Sequence, residues 1–141
     1  MSKFYQYFRE NMQALGLPAP EALFGTKEAA ITAAKAILVA FDKLGPKATV
    51  GELIGATTRY EKFLVVSAMG GSYVIGAIIG SIAVATGRCL AGGTSLGDVL
   101  HSALANGTYR PWLVSTLIRQ PAIYDQKITS RRLLAQLARY S

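Results

Sequence analysis

Residues 63–87 read FLVVSAMGGSYVIGAIIGSIAVATG, a run of 25 residues without a charge. As one helix rising ~1.5 Å per residue, such a run exceeds the ~30 Å hydrocarbon core of a bilayer. Ala68, Ser72, Gly76 and Gly80 recur at four-residue intervals, and Ala83 and Gly87 continue the stripe. One face of the helix is therefore nearly bare of side chains, and a second backbone can approach it closely. Gly76 to Gly80 is a GxxxG, the spacing that favours helix association where lipid supplies no hydrophobic force. Val74, Ile75, Ile78, Ile79 and Ile82 occupy the other faces and suit acyl chains. The run is thus a candidate transmembrane segment. The competing reading makes it the central helix of an all-α bundle, apolar all round because it is buried all round.

Composition leaves both readings open. Apolar residues make up 51% of the 141 residues and charged residues 16%, below the ~25% charge usual for globular domains. The length suits one all-α unit over residues 1–141. Fifteen Lys and Arg against eight acids give a net charge of +7, which favours anionic lipid, nucleic acid or an acidic partner. The basic residues are scattered from Lys3 to Arg139 rather than gathered on one element between aromatics, which argues against nucleic acid. Cys89 is the sole cysteine, so neither an internal disulfide nor a thiolate metal cluster is expected. The opening MSKFYQYFRENMQALG lacks the basic and then apolar pattern of a secretory signal, so any export would take a signal-independent route.

Around the apolar run the pattern is helical throughout. Phe4, Tyr5, Phe8, Met12 and Leu15 share one face of a helix expected over about residues 2–15. After Gly16-Leu17-Pro18-Ala19-Pro20, Thr26 is the expected N-cap of a helix running to Leu44 and stopped by Gly45-Pro46. Thr49-Val50-Gly51-Glu52 matches a capping box, so a helix should begin near Val50 and run into the apolar stretch. Gly70-Gly71 either kinks that helix, the expected form, or folds it into two arms. Thr94 can cap a helix ending at Asn106-Gly107. Pro111 suits the first position of a helix to Arg119, with Pro121 as its stop. A basic amphipathic helix is expected over about residues 129–140. The fold class is a small all-α helical bundle wrapping a central hydrophobic glycine-zipper helix.

Residues that carry chemistry are few. His101, the single histidine, lies three positions after Asp98. The two can hydrogen-bond on a helix, but hydrolysis also needs a placed nucleophile and an oxyanion site. A solvated helix pair is the simpler reading. No HExxH, CxxC or DxDxDG pattern occurs, and Gly87 to Thr94 lacks the GKT/GKS ending of a P-loop. No catalytic residue, metal ligand or cofactor is expected, and the chain reads as non-enzymatic.

A small, basic, signal-less helical chain with a glycine zipper over Ser72-Tyr73-Val74-Ile75-Gly76-Ala77-Ile78-Ile79-Gly80-Ser81 resembles the membrane-depolarising effectors of bacterial type VI secretion. That class likeness covers about a quarter of the chain when the apolar flanks are included. It implies a pore-forming antibacterial toxin that enters the target inner membrane, associates with lipid and with its own copies, and dissipates ion gradients. It further implies a secretion-tube carrier protein and an immunity protein as partners. Two alternatives stand beside it. One is a resident inner-membrane anchor or assembly protein, for which Lys43, Lys47, Arg59 and Lys62 ahead of the run against Arg88 after it predict a cytoplasmic N-terminus. The other is a helical interaction domain with residues 63–87 as its buried core.

Overall fold

The computed structural model describes residues 2–45, 47–50, 69–90 (88–90 by backbone only) and 95–125. Among them six α-helices and one 3₁₀ turn follow in order: α1 Lys3–Ala14, α2 Glu21–Phe24, α3 Lys27–Leu44, α4 Gly71–Leu90, α5 Leu96–Asn106, α6 Pro111–Arg119, and the turn Pro121–Ile123. α4 is the axis. α1, α3, α5, α6 and the 3₁₀ turn all pack directly on it.

Local sequence explains where the elements begin and stop. Ser2 Oγ accepts from the Tyr5 amide at 3.1 Å to open α1, and Gly16 takes φ 78° just beyond its end, a conformation that costs a Cβ-bearing residue more. Tyr5, Phe8 and Met12 recur at helical spacing and are buried, as are Leu15 and Leu17 beyond the helix. Phe8 stacks on Phe24 of α2 with ring centroids 4.6 Å apart. Thr26 Oγ1 accepts from the Ala29 amide to cap α3, and Gly45 at φ 98° ends it, both as expected from sequence. Pro111 stands in the first turn of α6, and Gly107 is left-handed after α5.

Three expectations meet corrections here. The helix expected to run from near Val50 through Gly70 is broken: Thr49 and Gly70 pair as an antiparallel bridge, with Val50 N–H donating to the Met69 carbonyl and Gly71 N–H to the Ala48 carbonyl. Pairing outward to another segment commits backbone groups that a continuous helix would use along its own axis. The cap of α5 is Ser95, one residue later than expected. α2, a single turn after Pro20, was not foreseen, because four residues are too few to show a period. The rest of the Thr49–Glu52 capping box, Ala68, Thr94 and the helix expected over 129–140 lie outside the described residues.

The break at Gly70 shortens the apolar helix. α4 starts at Gly71 and meets Arg88 two positions before its last residue, Leu90. Its charge-free part, 71–87, rises about 26 Å at ~1.5 Å per residue, short of the ~30 Å required. Among the described residues no helix is long and apolar enough to cross a membrane. The all-α bundle stands, but the transmembrane character assigned to its central helix does not. Inside the protein, Ile75, Ile78, Ile79 and Ile82 are among the largest fully buried side chains, together with Phe8, Phe24, Phe41, Met12 and Leu38. Burying each such side chain contributes about 1.5–3 kcal/mol, which offsets the ~1 kcal/mol that each helical glycine costs.

Candidate functional site

The small-residue stripe of α4 was the site expected from sequence, and the chain itself fills it. A Cβ built on Gly80 would collide with Ile123 Cγ2, and one on Gly76 would stand 3.2 Å from Thr116 Cγ2 and 3.9 Å from Leu113 Cδ1. The glycines thus let α6 and the 3₁₀ turn sink onto the axis, the close approach that GxxxG spacing permits, here between parts of one molecule. Gly76, Gly80 and Ala83 are buried, while Ser72 and Gly87 are half-buried. Val74, Ile75, Ile78, Ile79 and Ile82, expected to face acyl chains, all lie in the core.

Beside the stripe sits a buried polar junction that the sequence did not signal. Asn11 Nδ2, on α1, donates to Ser81 Oγ of α4 at 2.8 Å and to the Ile123 carbonyl at 2.9 Å. Asn11 and Ser81 are both buried. A primary amide has two N–H donors, and this one uses them to tie the first helix, the axis and the last described turn together. Asn11 reads as an ordinary polar residue in an amphipathic pattern. The one hint was that it neighbours the apolar Met12 and follows Phe8 by three, which places it at the edge of the inward face.

Asp98 is paired with Ser95 by hydrogen bonds rather than with His101. Ser95 Oγ accepts from the Asp98 amide at 3.2 Å and donates to Asp98 Oδ2 at 3.0 Å, and the Ser95 amide donates to the same oxygen at 3.0 Å. That reciprocal pair is a capping box. The Ser95 backbone and then the Ser95 hydroxyl hold the Asp98 carboxyl below its ordinary pKa, slight desolvation opposes them, and the His101 charge adds a smaller lowering. The carboxylate is committed to helix initiation. Among the described residues no three His, Cys, Asp or Glu side chains stand close enough together to hold a metal ion.

The outer surface is where unused chemistry collects. α3 carries a second apolar stripe opposite its buried one: Ala36, Val39 and Leu44 are exposed and Ala40 half-buried, at the i, i+3, i+4, i+8 spacing of one helix face. Val39 is 53% and Leu44 51% exposed. Lys43 stands exposed between them and Lys47 just beyond the helix end. Asp42, on the flank, is gripped by Arg110, whose Nη2 lies 2.9 Å from Oδ2 and whose Nε lies 3.2 Å from both carboxylate oxygens. On the α5–α6 hairpin Leu104 and Ile118 are 62% and 61% exposed.

No family model matches the sequence, and neither a curated protein nor a solved structure matches it. The likeness to type VI secretion effectors therefore has no relative behind it and no membrane-crossing helix among the described residues. The pore-forming toxin reading, with ion transport, insertion into a target inner membrane, lipid contact, oligomers in the membrane, and the carrier and immunity partners, is withdrawn on those two findings. The resident-membrane alternative rested on the same helix and has no membrane-crossing helix behind it among the described residues.

Proposed function

We infer that this chain is a non-enzymatic helical interaction module, a bundle that holds the outer faces of its helices in fixed register for a protein partner. The observation that carries this reading is the internal occupancy of the glycine stripe: Ile123, Thr116 and Leu113 fill it. The described part of the apolar run, residues 69–87, is thereby used in building a scaffold, and what remains for recognition is the surface. That surface offers exposed apolar side chains on three helices, Val39 and Leu44 on α3, Leu104 on α5 and Ile118 on α6, within a strongly cationic chain. Apolar anchors ringed by charge are how helical surfaces gain both affinity and selectivity.

The test is site-specific photocrosslinking of the full chain in cells that express it. A photoreactive residue at Val39, Leu104 or Ile118 should give a discrete heavier adduct at one position at least, and none at buried Leu38. Unmodified monomer at all three surface positions would overturn the reading.

A further inference from the structure

The C-terminal half of α3 presents an apolar stripe at helical spacing, Ala36, Val39, Ala40 and Leu44, that the bundle does not bury beyond the partial cover of Ala40. Its inner counterpart, Ala30, Ala34, Leu38 and Phe41, is fully committed to the core. A helix apolar on two faces has one more than its own fold uses.

Charge says what complements the second face. Lys43 lies within the stripe and Lys47 beyond it, both exposed. The acid nearest to them on this helix, Asp42, is neutralised by the bidentate Arg110 contact. Lys35, on the same flank as Asp42, is also exposed and leans over the end of α5, its Nζ 3.5 Å from where a Gly107 Cβ would be. Among the described residues of α3 and its end, the free charges within and just beyond the outer stripe are therefore positive, and apolar contact is available on one helix face over about two turns. A flat or extended partner would meet that face poorly, whereas a helix laid along it would match its spacing.

We propose that the outer face of α3, centred on Val39 and Leu44 and flanked by Lys43 and Lys47, docks an acidic amphipathic helix of a partner protein. The proposal rests on the interaction-module reading and specifies its partner. Leucines of the partner would cover Val39 and Leu44, and its carboxylates would meet the lysines. Because the charges are exposed, they would steer the encounter and weaken with salt.

The probe is a synthetic helical peptide with leucines at i, i+3, i+4 and i+7 separated by glutamates, and its counterpart with lysine for every glutamate. Titrated into the full chain, the glutamate peptide should bind and the lysine peptide should not. Lys43→Glu with Lys47→Glu should weaken the glutamate peptide about tenfold, as expected for losing close charge pairs, and should admit the lysine peptide. Val39→Asp should weaken it about tenfold as well, an anchor effect. All three positions are solvent-facing, so urea midpoints should fall only slightly, the Lys43 reversal losing a favourable charge at the C-terminal end of α3, which separates lost binding from lost folding. Equal binding of both peptides, or indifference to the Lys43 and Lys47 reversals, would overturn the proposal. So would tighter, lysine-dependent binding to anionic vesicles or to an oligonucleotide, which would make the face a general polyanion site. Crosslinked adducts at Leu104 or Ile118 alongside a silent α3 would sink this docking face while sparing the module reading, and adducts nowhere would sink both.

Discussion

Asn11 Nδ2 stands 2.8 Å from Ser81 Oγ across seventy residues of chain, both groups buried. With the second amide hydrogen on the Ile123 carbonyl at 2.9 Å, removal of the Asn11 side chain takes a donor from two buried acceptors at once. Asn11→Leu should therefore destabilise the protein by about 2–4 kcal/mol, from the loss of both hydrogen bonds and the desolvated Ser81 hydroxyl left behind. Adding Ser81→Ala should cost less in that background than in the parent, because the hydroxyl has already lost its donor. Urea denaturation of the four proteins in the cycle measures the coupling, and strict additivity would contradict the junction.

Gly80→Ala should destabilise by about 1–3 kcal/mol through overpacking against Ile123 Cγ2, although alanine is the better helix former. Gly76→Ala should be milder, because its nearest neighbour is a Thr116 methyl at 3.2 Å. The combination Gly80→Ala with Ile123→Ala should recover stability relative to the sum of the singles. Thermal melts decide this, and a Gly80→Ala variant more stable than the parent would contradict the observed packing.

Phe41 and Trp112 stack with centroids 5.2 Å apart and ring planes 13° from parallel. Phe41 is buried, so Phe41→Ala should cost about 3–5 kcal/mol. Trp112 is the only tryptophan in the chain, so its emission reports this contact directly and should shift in the folded Phe41→Leu variant. The neighbouring Asp42–Arg110 pair is partly exposed, and Asp42→Asn should change stability by at most about 1 kcal/mol. A larger loss from Asp42→Asn than from Phe41→Ala would reverse this ranking.

The Asp98 carboxyl has its folded pKa lowered from 3.8, first by the Ser95 backbone and then by the Ser95 hydroxyl. A lowered carboxyl pKa contributes stability above its unfolded value, and that contribution is lost as pH falls through the folded one. Acid should therefore weaken α5 in the parent protein, and Asp98→Asn should flatten that part of the profile. Hydrogen exchange of the α5 amides across pH 5 to 2 would show it, and an unchanged slope in Asp98→Asn would refute the assignment.

Several helix starts and stops were legible where one residue's chemistry decides them, although the Ser95 cap of α5 was expected one residue early, at Thr94. Thr26, Gly45, Gly107 and Pro111 act locally and behave as their types dictate. The apolar run was legible as apolar and misjudged as to its surroundings, because hydropathy records what a side chain avoids and not which neighbour removes it from water. Gly70 is the sharpest instance: Gly70-Gly71 marked a kink or a fold into two arms, but the pairing with Thr49 depends on a segment 21 residues earlier that no local pattern names. Likewise, a stripe of small residues announces close approach without naming the approaching body. Ile123 could not be identified as that body from a period, and Asn11 could not be identified as its anchor.

Because the Asn11 amide reaches a carbonyl 112 positions downstream, the first helix remains incompletely satisfied until residue 123 has been made. While the chain is still tethered to a ribosome, α4 has an uncovered groove until residue 123 clears the exit tunnel. A stop codon placed just ahead of Pro121 should therefore yield a product with an open groove along α4, one that the cell degrades rather than one merely lacking its tail.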